Sequence, residues 1–392
     1  MEWIELGKLG EVSTGNTPKK KNLEFYSSEY IPFIKPTSFK INKIVELDVG
    51  EEWLSKLGSE QGRIANKNDI LVTCIGSVGN IGIAKDNICF NQQINAIKVN
   101  EEIINHKYLA YALFFIRPTL MHIANNAVVP IINKSNFEKI KIPVPSLKIQ
   151  EDIVEILDNA QSLIDKRREQ IELLDDLIES VFYEMFGDPF INNKNWGVKA
   201  LKEVVEINPP KSELKYSKDF EIEVSFVPME DVKETGNLIL NETKKISEVY
   251  KSYTYFKEDD ILFAKITPCM ENGKSCIAKN LENKIGFGST EFHVIRVGDF
   301  LNNNYLLCLI RTDHFKKLAE SKMTGSAGQR RVPANFLKNF EIPVPPIELQ
   351  NKFADIVNAI ESEKEIIKNS LNLLEENYKS IMDSAFKEEL FH

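Results

Sequence analysis

The segment IPVPSLKIQ occupies residues 142–150, and the closely related segment IPVPPIELQ occupies residues 342–350, which is 200 positions later. Apolar residues downstream of the two segments keep this spacing to the end of the chain. Weaker matches link the regions upstream, including DIL at residues 69–71 and DIL at residues 260–262. A period this long indicates a duplicated globular domain with its following helix, because solenoids repeat over much shorter distances.

A long helix is predicted after each Pro-Val-Pro segment. Apolar residues recur there in alternating steps of three and four, which is a heptad pattern. Gly187-Asp188-Pro189 ends the first helix. About 40 residues at 1.5 Å each give a rod of roughly 60 Å. We expect these helices to bind partners through the apolar seam residues Ile153, Ile164, Ile171, Leu174, Phe353, Ile360, Leu371 and Leu374.

The net charge of −9 is unevenly distributed along the chain. Residues 1–145 and residues 191–345 each have a net charge of +2. The predicted helical segments carry the negative excess, −8 in residues 146–190 and −5 in residues 346–392. The globular parts are therefore compatible with nucleic acid, whereas phosphates would repel the helices.

Composition is that of an ordinary soluble protein, with 43% apolar and 27% charged residues. Five cysteines are scattered without a CxxC pair, which favours reduced thiols in a cytoplasm over a metal site. The start of the chain lacks the basic and apolar regions of a signal peptide. We therefore expect a cytoplasmic protein without a bound metal.

Each globular half contains short β-like runs followed by a helical stretch near residues 107–124 or residues 303–319. The sequence thus predicts a mixed α/β (α+β) protein with an internal pseudo-two-fold repeat. Two globular domains, at residues 1–145 and 191–345, alternate with two long antiparallel helices. The predicted strands are Ile70–Thr73, Ile81–Ala84, Ala96–Val99, Ile261–Phe263, Ser275–Ala278 and Phe292–Val297.

Polar loops at the predicted strand ends differ most between the two halves. Lysine and arginine can contact phosphates, and asparagine, glutamine and arginine can read base edges. A plain polar turn is the alternative for any single loop. The candidate DNA-binding residues are Lys19, Lys20, Lys35, Thr73, Ser77, Asn80, Gln92 and Gln93 in the first domain, and Lys265, Thr267, Asn272, Lys274, Gln329, Arg330 and Arg331 in the second.

Catalytic motifs are not evident. Asn208-Pro209-Pro210 is similar to part of an amino-methyltransferase motif, but position 211 is lysine where that motif has an aromatic residue. No glycine-rich cofactor loop accompanies it, so we interpret it as a turn after a strand. We expect a chain without catalytic residues and without a bound cofactor.

The whole pattern resembles type I restriction-modification specificity subunits. Two variable domains are each followed by an IPVP helix, FGDP follows the first helix, and AFKEELF closes the second. The resemblance covers essentially the whole chain. It implies two target-recognition domains that each read one half of a bipartite double-stranded DNA target, with the long helices as an antiparallel spacer.

The resemblance also implies partners. Two modification (methyltransferase) subunits would dock on the spacer helices and use S-adenosylmethionine to methylate adenine, and motor-nuclease subunits could join for restriction. The leading hypothesis is therefore a non-catalytic DNA specificity subunit. The alternative is a coiled-coil adaptor that bridges protein partners without binding DNA.

Overall fold

The computed structural model describes residues 2–124, 129–214, 221–326 and 328–387. It divides into unit 1, which is residues 1–168 with 369–392, and unit 2, which is residues 169–368. Each unit contains one globular half and parts of both long helices, and the boundaries given above for the four segments stay a prediction. The last four residues of the AFKEELF motif lie outside the described residues.

Unit 1 combines short strands with helices of varied length. Its strands are β1 (Glu2–Glu5), β2 (Gly10–Thr14), β3 (Ile31–Ile34), β4 (Val45–Leu47), β5 (Glu52–Leu54), β6 (Arg63–Ala65), β7 (Ile70–Thr73), β8 (Ile81–Ala84), β9 (Ile88–Phe90), β10 (Ile94–Val99) and β11 (Lys141–Val144). Its helices are α1 (Leu6–Leu9), α2 (Lys56–Gln61), α3 (His106–Phe115), α4 (Arg117–Ala124), α5 (Lys134–Glu138), the first part of α6 (Leu147–Phe186) and the last part of the second long helix, from residue 369 on.

Unit 2 is built from a similar set of elements. Its strands are β12 (Val198–Ala200), β13 (Val205–Ile207), β14 (Glu223–Val227), β15 (Glu242–Lys245), β16 (Thr254–Lys257), β17 (Ile261–Ala264), β18 (Ser275–Ile277), β19 (Ile285–Gly288), β20 (Phe292–Val297) and β21 (Glu341–Pro343). Its helices are α7 (Ile246–Val249), α8 (Asn303–Arg311), α9 (Asp313–Ser321), α10 (Ala334–Asn339) and the first part of α11 (Ile347–Phe386), together with the last part of α6.

The sheets have corresponding strand orders in both units, except that β4 extends one sheet of unit 1 by a fifth strand. Unit 1 contains sheets ordered β2-β10-β7-β8-β4, β5-β3-β9-β6 and β1-β11. Unit 2 contains the corresponding orders β13-β20-β17-β18, β15-β14-β19-β16 and β12-β21. Most pairs are antiparallel, while β3 with β9, β4 with β8, and β14 with β19 are parallel. The predicted mixed α/β repeat is thus confirmed at the level of topology.

Most predicted strands appear within a residue or two of their expected bounds. The helical stretches predicted near residues 107–124 and 303–319 are each divided into two helices, α3 with α4 and α8 with α9. In unit 2, Thr312 has extended backbone angles, and its side chain accepts a hydrogen bond from the Phe315 N–H, which begins α9. In unit 1, Pro118 lies in the first turn of α4, where its missing N–H costs nothing. Apolar periodicity continues through both junctions, so it did not indicate the breaks.

Both long helices are confirmed, and each runs for 40 residues. The first one ends before Gly187, whose φ of 75° is accessible to glycine at no steric cost. None of the helices in the described ranges is long and apolar enough to cross a membrane.

Within each unit the two helices run antiparallel. In unit 1, Ile153 and Leu157 of α6 pack in one core with Met382 and Phe386 of α11. In unit 2, Lys364 Nζ of α11 lies 2.6 Å from Asp175 Oδ1 of α6, and this lysine is 2% exposed. A buried ammonium needs such a partner, because an unpaired one would lose several kcal/mol of hydration.

A buried glutamine joins the start of each long helix to the globular core. The Gln150 side chain is fully buried, and its Oε1 accepts a hydrogen bond from the Asn105 N–H over 2.7 Å. Its Nε2 donates to the carbonyls of Pro145 and Ile103, at 2.9 and 3.2 Å. The side-chain amide therefore satisfies three backbone groups that no strand or helix pairs.

Gln350 makes the same three bonds in unit 2, with the Asn302 N–H and with the carbonyls of Pro345 and Phe300. A tyrosine supplements each glutamine. The hydroxyl of Tyr108 donates to the Pro143 carbonyl, and the hydroxyl of Tyr305 donates to the Pro343 carbonyl. The repeated IPVP…Q motif thus encodes a joint between the last strand, the long helix and the core.

Aromatic packing completes the joint. The ring of Tyr108 lies 5.4 Å from that of Phe386, and the ring of Tyr305 lies 4.7 Å from that of Phe186. Each core therefore holds the beginning of one long helix and the end of the other. Burial of these rings accounts for a large share of the apolar surface removed from water at the joint.

We expect Gln150→Leu to destabilise unit 1 by about 3 kcal/mol, because it leaves three buried backbone groups without partners. Gln61→Leu, which changes an exposed glutamine in the same unit, should cost less than about 0.5 kcal/mol. Urea unfolding of both variants measures the difference. Equal stability of the two variants would contradict the structural role of the buried amide.

Candidate nucleic-acid interface

In unit 1 the loop that follows β7 is fixed to two neighbouring segments by backbone hydrogen bonds. The Cys74 N–H donates to the Gln93 carbonyl over 2.7 Å, and the Gly76 N–H donates to the Pro130 carbonyl over 3.0 Å. The Ile132 N–H donates to the Cys74 carbonyl over 2.9 Å. Three segments distant in sequence therefore form one surface.

In unit 2 the loop that follows β17 has the same three bonds. The Lys265 N–H donates to the Glu291 carbonyl over 2.9 Å, and the Thr267 N–H donates to the Arg330 carbonyl over 3.0 Å. The Val332 N–H donates to the Lys265 carbonyl over 2.9 Å. We call this repeated set of bonds the shared loop frame.

The shared loop frame presents unlike side chains at equivalent positions. Ile131 forms an isolated β-bridge with Ile75 in unit 1, and Arg331 forms one with Ile266 in unit 2. Ile131 is 45% exposed, although it is a large apolar residue. One unit thus exposes an aliphatic side chain where the other carries a guanidinium.

The Arg331 guanidinium is held firmly in place. Its Nε and Nη2 donate to the Glu291 carboxylate at 2.7 to 3.1 Å, and its Nη1 donates to the Gln329 carbonyl at 3.0 Å. The hydrogen bonds from Arg331 hold the pKa of the Glu291 carboxyl below its ordinary value. Lys265 lies beside this pair, with its Nζ donating to the Thr290 carbonyl over 2.7 Å.

Arg330 and Thr267 meet at a second acidic group. Arg330 Nη2 lies 3.3 Å from Glu320 and 3.5 Å from Glu271. The Thr267 hydroxyl donates to the Glu271 carboxylate over 2.8 Å. Two carboxylates therefore face the Arg330 guanidinium and offset its positive charge.

The other predicted residues of unit 2 lie at the surface or on its margin. Asn272 is exposed and donates to Glu234 over 2.7 Å, and Gln329 is exposed. Lys274 is half-buried, with its Nζ 3.3 Å from the Met229 carbonyl. Lys274 therefore packs along the loop, and its ammonium is bound to the chain itself.

In unit 1 two of the predicted residues are buried and bonded to their own loop. Thr73 is fully buried, donates to the Ser77 carbonyl and accepts from the Asn80 N–H. Asn80 is also buried, and its side-chain oxygen accepts from Arg117 over 3.2 Å. Side chains used in this way hold the loop in shape and are not available to a ligand at the surface.

The remaining polar residues of unit 1 are accessible. Ser77 and Gln92 are exposed, and Gln92 accepts from the Thr17 hydroxyl over 2.6 Å. Gln93 is half-buried, and its side-chain oxygen accepts from the amide of Asn91 over 2.9 Å. These amides retain hydrogen-bonding capacity that a polar ligand could use.

Of the three predicted lysines in unit 1, Lys19 and Lys20 are exposed and Lys35 is half-buried. Lys35 forms an ion pair with Glu52, and Lys20 Nζ lies 3.6 Å from the same carboxylate. The hydrogen bond from Lys35 holds the pKa of the Glu52 carboxyl below its ordinary value. Lys19 and Lys20 are therefore the more available cations.

The predicted seam residues of the long helices are buried or half-buried in the structure. Ile153, Ile164, Phe353 and Ile360 are buried, and Ile171, Leu174, Leu371 and Leu374 are half-buried. Large apolar residues elsewhere on the helices are exposed. The exposed leucines and isoleucines are Leu147, Leu163, Leu173, Leu177, Ile356, Ile366 and Leu373.

A buried histidine connects the loops of unit 2. His293 Nδ1 lies 3.1 Å from Asn208 Nδ2, and its Nε2 lies 2.8 Å from the Val332 carbonyl. Asn208 has a φ of 56° directly after β13, so the Asn-Pro-Pro segment is a turn, as its sequence indicates. Since the asparagine amide donates to Nδ1, the histidine is neutral with its proton on Nε2.

Sequence reasoning missed three contributors to this surface. Ile131 could have been identified from the sequence, because it lies 200 positions before Arg331 and so occupies the equivalent position in the repeat. Lys211 and Lys251 lie on turns whose proximity to Lys265 depends on the tertiary fold. Within the described ranges, no group of histidine, cysteine and carboxylate side chains could hold a metal ion.

The pKa of His293 is lowered by burial from its ordinary value of 6.5. As pH falls below about 6.5, His293 takes up a proton in the unfolded chain but stays neutral in the folded chain. The free energy of unfolding of unit 2 should therefore decrease between about pH 7 and pH 5. We expect His293→Gln to reduce this loss. The exposed His122 of unit 1 gives the control variant His122→Gln, which should keep the wild-type dependence. Urea unfolding at both pH values tests this, and identical curves for all three proteins would contradict it.

Comparison with known proteins bears on both halves of the chain. Residues 1–173 and 193–376 match the family described as Type I restriction modification DNA specificity domain. The chain is 45% identical over 160 residues to the type I restriction enzyme EcoEI specificity subunit of Escherichia coli, a match that covers 40% of this chain and 26% of that protein. It is 27% identical over 337 residues to the MjaVIII specificity subunit of Methanocaldococcus jannaschii, covering 82% and 78% of the two chains.

The match to the Escherichia coli relatives thus spans only about a quarter of their length.

Solved structures share the fold over nearly the whole chain. The type I restriction-modification S subunit from M. genitalium has a TM-score of 0.54 at 14% identity, over 98% of this chain and 96% of that one. A chain of another type I R-M system has a TM-score of 0.59 at 16% identity, over 99% and 98%. With both halves matched, this chain belongs to the type I restriction modification DNA specificity domain family.

Proposed function

We propose that this chain is the DNA specificity subunit of a type I restriction-modification complex. Residues 1–145 and residues 191–345 each read one half of a bipartite double-stranded target. The observation that carries the proposal is the shared loop frame, in which identical backbone bonds present different side chains. Such a scaffold with variable side chains suits two recognition surfaces of unlike specificity.

The charge distribution supports DNA as the ligand of the globular halves. Both halves are slightly basic although the chain as a whole is acidic. Cations that neutralise phosphates supply most of the sequence-independent affinity, whereas side chains at base edges supply the specificity. We do not include the predicted residues Thr73 and Asn80 among the proposed DNA contacts, because both are buried.

The long helices dock two modification (methyltransferase) subunits, which carry S-adenosylmethionine, and motor-nuclease subunits can join the complex in the cytoplasm. Acidic helices suit a protein partner better than DNA. Their exposed leucines and isoleucines, rather than the predicted seam residues, supply an apolar surface for it. The chain itself contributes no catalytic group. No observation favours an adaptor that does not bind DNA.

We propose that Arg331 donates hydrogen bonds to a guanine base. A guanidinium has five N–H donors, and Glu291 and the Gln329 carbonyl engage three of them. The two that remain are one on Nη1 and one on Nη2, and we propose that this pair binds the base. A parallel donor pair matches O6 and N7 of guanine in the major groove. Because Glu291 fixes the guanidinium beforehand, little side-chain entropy is lost on binding.

Ile131, the equivalent residue of unit 1, cannot make this contact. An exposed aliphatic side chain at the same place can pack on the C5 methyl group of thymine. The exposed amide of Gln92 can read adenine nearby. Hence the two half-sites differ in base composition as well as in sequence.

Exchange of residues 191–345 for the same segment of another specificity subunit should change one half of the methylated target and leave the other half unchanged. The measurement is methylome sequencing of a host that carries the exchanged chain and its modification subunits. A target altered in both halves, or in neither while the complex assembles and methylates DNA, would contradict the assignment of one half-site to each domain.

Arg331→Ala should weaken binding to the target by about 1–3 kcal/mol and relax the sequence requirement at one guanine of the half-site read by unit 2. Arg331→Lys is the matched control for charge, since it keeps the cation but loses the paired donors. We expect Arg331→Lys to relax the same position while keeping more of the non-specific affinity. Binding selection from randomised duplexes would detect this, and an unchanged preference in both variants would exclude Arg331 as a base-reading residue.

A further inference from the structure

A second feature of unit 2 adjoins the shared loop frame. It is a cleft of about 430 Å³ formed by the turn after β13, the segment that leads into β16, and the loop ends near Lys265 and Thr290. Lys211 and Lys251 also line it. Three ammonium groups from three separate segments are therefore brought to one depression, although they are distant in sequence.

Two of these lysines donate to backbone carbonyls. Lys211 Nζ donates to the Tyr250 carbonyl and Lys265 Nζ donates to the Thr290 carbonyl, each over 2.7 Å. Among the described residues, no ion pair joins Lys211, Lys251 or Lys265 to an acidic side chain. Glu291, the carboxylate nearest to Lys265 in the loop frame, is already engaged by Arg331. Burial lowers the pKa of Lys211 and of Lys265, which reflects the cost of holding these cations away from water.

Hydroxyl groups complete the walls of the cleft. Ser252, Thr254 and Thr290 line it together with Tyr253 and a proline pair. Lysine ammoniums with serine and threonine hydroxyls are the groups that proteins use to bind phosphate oxygens. Proline and tyrosine faces offer apolar surface for a sugar. The cleft is thus suited to an anion with several oxygens attached to an uncharged carbon framework.

We infer that this cleft holds the sugar–phosphate backbone of one DNA strand and so fixes the register of the bases opposite Arg331. The inference rests on the proposed function, and it assigns a separate task to a separate group of residues. Arg331 selects the sequence, whereas Lys211 and Lys251 anchor any sequence. Free inorganic phosphate or a nucleotide offers the same anionic chemistry and is distinguished by the test.

The test uses the chain assembled with its modification subunits. In Lys211→Ala/Lys251→Ala, affinity for target and for non-target duplexes should fall by the same factor. The slope of log affinity against log salt should become shallower by about 1.8, which is about 0.9 for each lost phosphate contact. The methylated sequence should stay the same. The single variant Lys251→Glu should weaken binding more than Lys251→Ala at low salt, because the new carboxylate repels the phosphates.

Lys202→Ala/Lys338→Ala is the matched control, since both lysines are exposed in unit 2 and lie outside the cleft. It should leave affinity and salt dependence unchanged. An unaltered salt slope in the cleft variants, with normal target preference, would overturn the inference and leave the proposed function intact. Loss of all sequence preference in the wild-type complex would instead refute the proposed function.

Competition separates the two sources of phosphate. Inorganic phosphate or a nucleotide should displace DNA from the wild-type complex no better than potassium chloride at equal ionic strength. Tight binding of inorganic phosphate that disappears in Lys211→Ala/Lys251→Ala, without a change in DNA affinity, would assign the cleft to a free anion and overturn the inference.

Discussion

The structure of each unit depends on one buried side-chain amide. Gln150 and Gln350 lie in the first turn of a long helix, and each satisfies three backbone groups from the loop before it and from the globular core. A hydrocarbon side chain would leave these groups unpaired away from water, which costs more than a hydrogen bond contributes when it forms. The direction in which each helix leaves its domain is therefore fixed by polar geometry, and apolar packing around Tyr108 and Tyr305 strengthens it.

The loop frame shows how one fold can carry two specificities. Its hydrogen bonds join main-chain atoms, so they place few restrictions on the side chains that project from it. Ile131 and Arg331 occupy equivalent positions, yet one is aliphatic and the other is a cation held by Glu291. Recognition can thus change without a change in the scaffold. In the proposed function the lysine cleft has a separate role, because a contact to phosphates does not depend on sequence and would allow the base-reading residues to vary.

Sequence reasoning succeeded where the signal was local or periodic. Strand bounds such as Phe292–Val297 and the end of the first long helix before Gly187 were predicted correctly. It gave less guidance where a polar side chain could bond either to a ligand or to its own loop. Thr73 and Asn80 occur in a polar loop typical of binding surfaces, but they bond to the loop itself and are buried. The break at Thr312 was missed because a helix cap needs only one residue and leaves the apolar pattern intact.

By itself, the sequence determined the duplication, the two acidic helices and the mixed α/β class, because these follow from an offset, a heptad period and residue charge. Only the tertiary structure decided which polar side chains remain available for a ligand. Arg331 meets Glu291 across 40 residues of chain, and His293 meets Asn208 across 85. Hydrogen bonds act over about 3 Å in space and are indifferent to distance along the chain, so the chemistry of the surface depends on the fold that brings these residues together.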